Sequence, residues 1–106
     1  MTTGDQLLVI LSALANPQRL RILAALNERQ VYVSELAREL QISRPLLHMH
    51  LNRLESAGLI TGRHEISIDG KALRYFEVNH FDEVLTPQRI SEVVKTLTMN
   101  METNQK

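Results

Sequence analysis

The sequence contains no cysteine and no tryptophan, and only two tyrosines and two phenylalanines among its 106 residues. Without cysteine there is no disulfide framework, no thiolate metal site and no thiol redox switch, which fits a cytoplasmic protein. With so few aromatic rings the core must be aliphatic. Charge of one sign is missing too: 12 Lys and Arg balance 12 Asp and Glu. A domain that held nucleic acid by bulk electrostatics alone would carry an excess of cations. Long apolar runs are absent near the N-terminus, where Leu7 to Leu11 falls far short of the ~20 residues that span a bilayer. That run also lacks the basic flank and cleavage site of a signal peptide, so neither a membrane partner nor processing is expected. No repeat, low-complexity tract or Gly/Ser/Pro-rich linker divides the chain, which reads as a single domain over residues 1–106 with a polar tail, NMETNQK.

What is present is ordinary for a globular domain, with 43% apolar and 23% charged residues. A first helix is expected over residues 5–15, where Leu7, Leu8, Ile10, Leu11 and Leu14 make more than one face apolar. Asn16-Pro17 then caps and opens a second helix, to about Asn27, carried by Leu20, Ile22, Leu23 and Leu26. The β-branched segment RQVYV suggests a brief strand before Ser34, a candidate N-cap with Glu35 in the first turn. Leu36, Ala37 and Leu40 share one face of that third helix. After only Gln41 and Ile42, Ser43 caps a fourth helix, which tolerates Pro45 in its first turn and stops at Gly58. Two β-rich runs over residues 61–78 follow, separated by Asp69-Gly70, a dipeptide that favours a tight hairpin turn. Both runs admit two facings, so spacing leaves their register open. Thr86-Pro87 opens a last helix, expected over residues 87–101, with Ile90, Val93, Val94, Leu97 and Met101 at three- and four-residue spacings.

The fold expected is mainly α with a small β-hairpin: about five helices plus a two-stranded wing, a winged helix-turn-helix with its two-helix unit at residues 34–57. On the wheel of the fourth helix Leu47, Leu51 and Leu54 form a narrow apolar stripe flanked by His50 and Leu46. His48 and His50 are two residues apart and point about 200° away from each other, unlike an i, i+4 chelating pair. His50 is expected to pack and hydrogen-bond across the helix-turn-helix. His64 and His80 are isolated, and HFDE reads as a solvated loop or helix start.

Taken in order, LANPQRLRILAAL, then VSELARELQISRPLLHMHLNRLESAGLI, then the hairpin and last helix, the chain resembles the ArsR/SmtB-type family of small homodimeric repressors. The likeness spans roughly Leu11 to Leu85. It implies a dimer through the first and last helices, presenting two recognition helices to successive major grooves of a partly palindromic operator. Leu7, Leu8, Leu11, Ile90, Val93, Val94, Leu97 and Met101 are the dimerisation candidates. The spacing agrees, since both helices carry more apolar surface than so small a domain readily covers. The alternative is that the last stripe packs within its own subunit. The family's Cys-Val-Cys metal motif corresponds to Tyr32, Val33 and Ser34 here, and the last helix offers Glu92 and Glu102 without histidine. Neither familiar metal site is expected, nor any cofactor, and the effector stays open.

For double-stranded DNA the candidates are Ser43, Arg44, Leu46, His48, Met49, Asn52, Arg53, Lys71 and Arg74. Arg44 at the helix start suits paired hydrogen bonds to guanine, Asn52 suits adenine or phosphate, and Leu46 and Met49 suit thymine methyls. Arg44 reads equally as a phosphate contact or a solvated charge. Lys71 and Arg74 suit phosphate contacts, or simply a solubilised turn. A sequence-specific regulator, acting as a repressor, is the first reading. A winged-helix module that binds protein, as an antirepressor or cofactor-type regulator, is the second, favoured by neutral charge and by Leu46 and Met49. No phosphate-binding glycine loop, cysteine nucleophile, Ser/His/Asp set or paired carboxylate supports an enzyme.

Overall fold

The computed structural model of the protein describes residues 2–98. Helix α1 spans Gly4–Leu14 and α2 spans Pro17–Glu28; α3 (Val33–Leu40) and α4 (Arg44–Ser56) follow. Strands β1 (Ile60–Ile66) and β2 (Ala72–Val78) form an antiparallel hairpin, and α5 covers Pro87–Val94.

Local chemistry sets each boundary. Thr3 caps α1 reciprocally with Gln6, its hydroxyl accepting from the Gln6 N–H while the Gln6 amide accepts from the Thr3 N–H, so the helix begins at Gly4 rather than residue 5. Asn16 accepts from the N–H groups of Gln18 and Arg19, with Pro17 in the first turn of α2. Ser34 is not the cap of α3. The helix opens at Val33, and the Glu35 carboxylate accepts the N–H of Tyr32 at 3.2 Å. The expected strand at RQVYV shrinks to one bridge, Tyr32 to Tyr75. Gln41 takes the left-handed conformation, φ 57°, which tightens the turn between α3 and α4 enough for Ser43 to cap the latter. At the far end Gly58 has φ 76°. Leu59 N–H bonds Leu54 C=O and Gly58 N–H bonds Glu55 C=O, a Schellman closure that turns the chain straight into β1.

The wing's register pairs Ile60 with Val78 and Ile66 with Ala72. Ile60 and Phe76 are buried on its inner face, which resolves the facing that spacing left open. The turn is one residue longer than an Asp-Gly hairpin. Ser67 C=O accepts from Gly70 N–H, Ser67 N–H donates to Lys71 C=O, and Gly70 sits at φ 85°.

Leu47, Leu51 and Leu54 of α4 pack against Ile22, Leu23 and Leu26 of α2 and Val33, Leu36 and Ala37 of α3, with Leu59, Ile60 and Phe76 closing the wing side. The core is aliphatic apart from that one ring, and α4 is its centre. Helix α5 is shorter than the expected 87–101, ending at Val94, with residue 101 outside the described residues. Its continuation turns aside because Thr96 and Thr98 serve α1: Gly4 N–H donates to the Thr96 hydroxyl at 2.7 Å, and Thr98 N–H donates to Asp5 at 2.8 Å. Gly4 allows this crossing, since a Cβ there would lie 2.5 Å from Val93 C=O.

Candidate nucleic-acid interface

Helix α4 buries Leu47, His50, Leu51 and Leu54 and turns the rest outward. At 100° per residue, Pro45, Met49, Asn52 and Ser56 run down the middle of the outer face. Leu46 and Arg53 lie along one edge, and Arg44, His48 and Glu55 along the other. All are exposed except His48, which is half-buried. The Ser43 hydroxyl caps α4 by accepting from Leu46 N–H at 3.2 Å. Sequence reasoning missed Arg38. It lines, with Ser34, Ala37, Gln41, Ile42 and Arg44, an open hollow at the turn between α3 and α4. Among the described residues the ion pairs are Arg29–Glu39, Arg63–Glu77 and Glu83–Arg89, so Arg38, Arg44, Arg53 and Lys71 are left without one. A cation three residues before the turn was the available signal.

The wing stands beside α4 through Leu59, Ile60 and Phe76 in the shared core, and Gly62 N–H donates to the Glu55 carboxylate at 3.3 Å. On its inner face Arg74 lies over the Phe76 ring, 4.8 Å from the centroid, and is half-buried rather than free. Lys71 is fully at the surface of the turn, which is braced where the Ser67 hydroxyl bonds Asp69 and accepts from Lys71 N–H. The Ser67 hydrogen bond holds the Asp69 carboxyl below its ordinary value, so the tip keeps one anion beside its cation. On the outer face Tyr32 clasps the wing to α3, its hydroxyl donating to Glu65 at 2.5 Å and its ring edge-on to Tyr75. Tyr32, which the sequence resemblance set against a metal-motif position, thus holds a phenol that ties wing to helix.

His50 makes a different contact from the one expected. Its partner lies in α2, outside the helix-turn-helix: Arg19 Nη1 donates to His50 Nδ1 at 3.1 Å. Both are buried, with Arg19 9% and His50 4% exposed. A guanidinium has only donors, so Nδ1 must be the acceptor and the ring proton sits on Nε2. Arg19 also donates through Nε to Ala13 C=O at 2.6 Å and through Nη2 to Ser12 C=O at 3.4 Å. Burial, and then the Arg19 charge, push the His50 pKa below its ordinary value. The unfolded chain therefore takes up this proton first as pH falls. The stability tied to neutral His50 is complete above about pH 6.5, is lost as pH drops from there toward the lowered pKa, and is constant below it. Thermal melts from pH 8 to 5 are expected to show this fall, and His50→Gln, which keeps an acceptor without a titration, is expected to flatten it. An unchanged pH profile in the variant would count against His50 as its source.

The dimerisation candidates divide. Leu7 is buried in its own subunit, and Val93 and Leu97 are half-covered against α1, so part of the last stripe packs internally. Leu8 and Leu11 are half-exposed, while Ile90 and Val94 are open, together with Val84 and Leu85 of the preceding segment.

Among the described residues no three His, Cys, Asp or Glu side chains cluster to hold a metal. His64 and His80 are exposed and apart, and residues 79–86 form an irregular segment. Among the described residues no single helix is long and apolar enough to cross a membrane.

The two-helix unit and wing have counterparts in known proteins. Residues 16–61 match the profile of the family described as bacterial regulatory protein, arsR family. The chain is 35% identical over 89 residues to an HTH-type transcriptional regulator of Methanocaldococcus jannaschii, covering 83% of this chain and 87% of that protein. It is 36% identical over 77 residues to the transcriptional activator HlyU of Vibrio cholerae, covering 73% and 71%. In structure it resembles a homodimeric winged helix-turn-helix DNA-binding domain from Mycobacterium bovis, with a TM-score of 0.64, 23% identity, and coverage of 86% of this chain and 73% of that one. Sequence likeness over most of both chains and a shared architecture lead to one conclusion: the chain belongs to the ArsR family of regulatory proteins.

Proposed function

We propose that the protein is a homodimeric, sequence-specific DNA-binding transcriptional repressor of the cytoplasm, reading the major groove with α4 and neighbouring phosphates with the wing. The observation that carries this reading is the outer face of α4, exposed and edged by Arg44 and Arg53, which lack ion pairs among the described residues. Recognition helices of this architecture place their N-terminal residues at base edges. Arg44 is assigned to guanine O6 and N7, and Asn52 to adenine. Ser43, His48 and Arg53 are assigned to the groove wall. Lys71 and Arg74, the latter steadied on Phe76, are assigned to phosphates. Ile90 and Val94 of α5, with Leu8 and Leu11 of α1, form the surface proposed for the second copy, an assembly that the Mycobacterium bovis protein also has. Repression follows from occupying an operator. The Vibrio cholerae relative is an activator, so the sign is read by a reporter driven from the bound promoter.

The test is a salt titration of binding to random duplex and to DNA surrounding the protein's own gene. Arg44→Ala is expected to cost about 1–3 kcal/mol of preference for the native fragment. Lys71→Ala is expected to weaken both duplexes alike and reduce the salt slope by about one. No binding to either duplex at low salt by the folded protein would refute the proposal.

A further inference from the structure

We propose that the N-terminal half of α4 reads the 5-methyl group of pyrimidines in the major groove, so that the preferred site places thymine methyls against Leu46 and Met49. This rests on the DNA-binding reading above and names the chemistry that reading leaves open.

The central strip of α4 is not charged. Pro45 and Met49 occupy its first two turns and Leu46 adjoins them, with Leu46 38% and Met49 48% exposed. Their polar neighbours sit at the edges, Arg44 on one side and Arg53 on the other, and Arg38 lies across the turn. Cationic edges around an apolar strip complement a groove whose rims are phosphate and whose floor carries methyl groups wherever thymine stands. The one acid on these edges, Glu55, is turned to the wing by its bond from Gly62 N–H. A protein partner would leave Arg38, Arg44 and Arg53 to find carboxylates of its own; duplex DNA supplies phosphates for Arg38 and Arg53 and guanine acceptors for Arg44 at once. Asn52, one turn beyond Met49 on the same strip, is placed for the adenine of an A·T pair.

Thymine differs from uracil only by this methyl, which gives a direct test. Duplexes would be enriched from a random-sequence library by the full chain. The enriched duplex would then be remade with deoxyuridine replacing thymidine one position at a time. Removing the methyl at the contacted positions is expected to weaken binding by about fourfold each, the worth of one buried methyl-sized group. A C·G pair substituted there is expected to bind more tightly when its cytosine carries a 5-methyl group. Met49→Ala and Leu46→Ala, both at half-exposed sites, are expected to keep the parent's melting temperature yet lose discrimination between thymine and uracil. If the parent prefers one sequence but binds its thymine and uracil forms equally, the inference fails and the regulator reading stands. Methyl sensitivity that persists in both variants would also overturn it. If no sequence is enriched, both readings fall and the strip is left to a protein partner.

Discussion

Replacing Arg19 with alanine is expected to lower unfolding free energy by about 3–5 kcal/mol, read as a shift in the urea midpoint without a change in slope. The side chain is a buried junction. It satisfies the carbonyls of Ser12 and Ala13 in the last turn of α1, where helix geometry supplies no partner, and the acceptor nitrogen of His50 on α4. Alanine leaves all of them without their donor and opens a space where the guanidinium lay. Lysine keeps the charge but not the planar fork, so Arg19→Lys is expected to fall between parent and alanine. A loss below about 1 kcal/mol for Arg19→Ala would show that these bonds are dispensable.

The pair Ile90→Asp and Val94→Asp is expected to raise the dimer dissociation constant by about a thousandfold, measured by sedimentation, with operator binding falling alongside. The two residues are 50% and 54% exposed in the single subunit, and none of the described residues covers their outer halves. Covering half of an aliphatic side chain is worth about 1 kcal/mol. Two-fold symmetry presents each position twice, so the loss multiplies to about 4 kcal/mol, or three powers of ten. Carboxylates in the seam add repulsion. A variant that stays dimeric at the parent's concentration would move the interface elsewhere.

The elements that spacing and caps specify locally were legible. Asn16-Pro17, Ser43 and Thr86 each cap the helix they were expected to cap. Ser34 misled because a good capping residue lay two positions past the cap at Tyr32, and the apolar Val33 was free to join the helix. The last helix misled for a tertiary reason. Periodic apolar residues carry past residue 94, but the hydroxyls of Thr96 and Thr98 bond α1, more than 90 positions away in sequence. His50 was recognised as a packing residue, while its partner was sought too near. Arg19 lies 31 residues upstream, and nothing in a helical wheel of either segment points to the other. At the interface the cationic edges could be read from the wheel. Arg38 escaped notice because its place beside Arg44 depends on the left-handed turn at Gln41.

The Arg19 junction also makes the molecule a caliper. Because one guanidinium holds the end of α1 and the middle of α4 together, a dimer built on α1 and α5 fixes both the separation of its two α4 helices and their phase around the DNA axis. One extra base pair between half-sites turns the second site by about 35°. Under the proposed reading neither α4 helix swings to follow it without breaking buried hydrogen bonds, so the spacer between half-sites counts toward the recognised sequence as much as the bases assigned to α4.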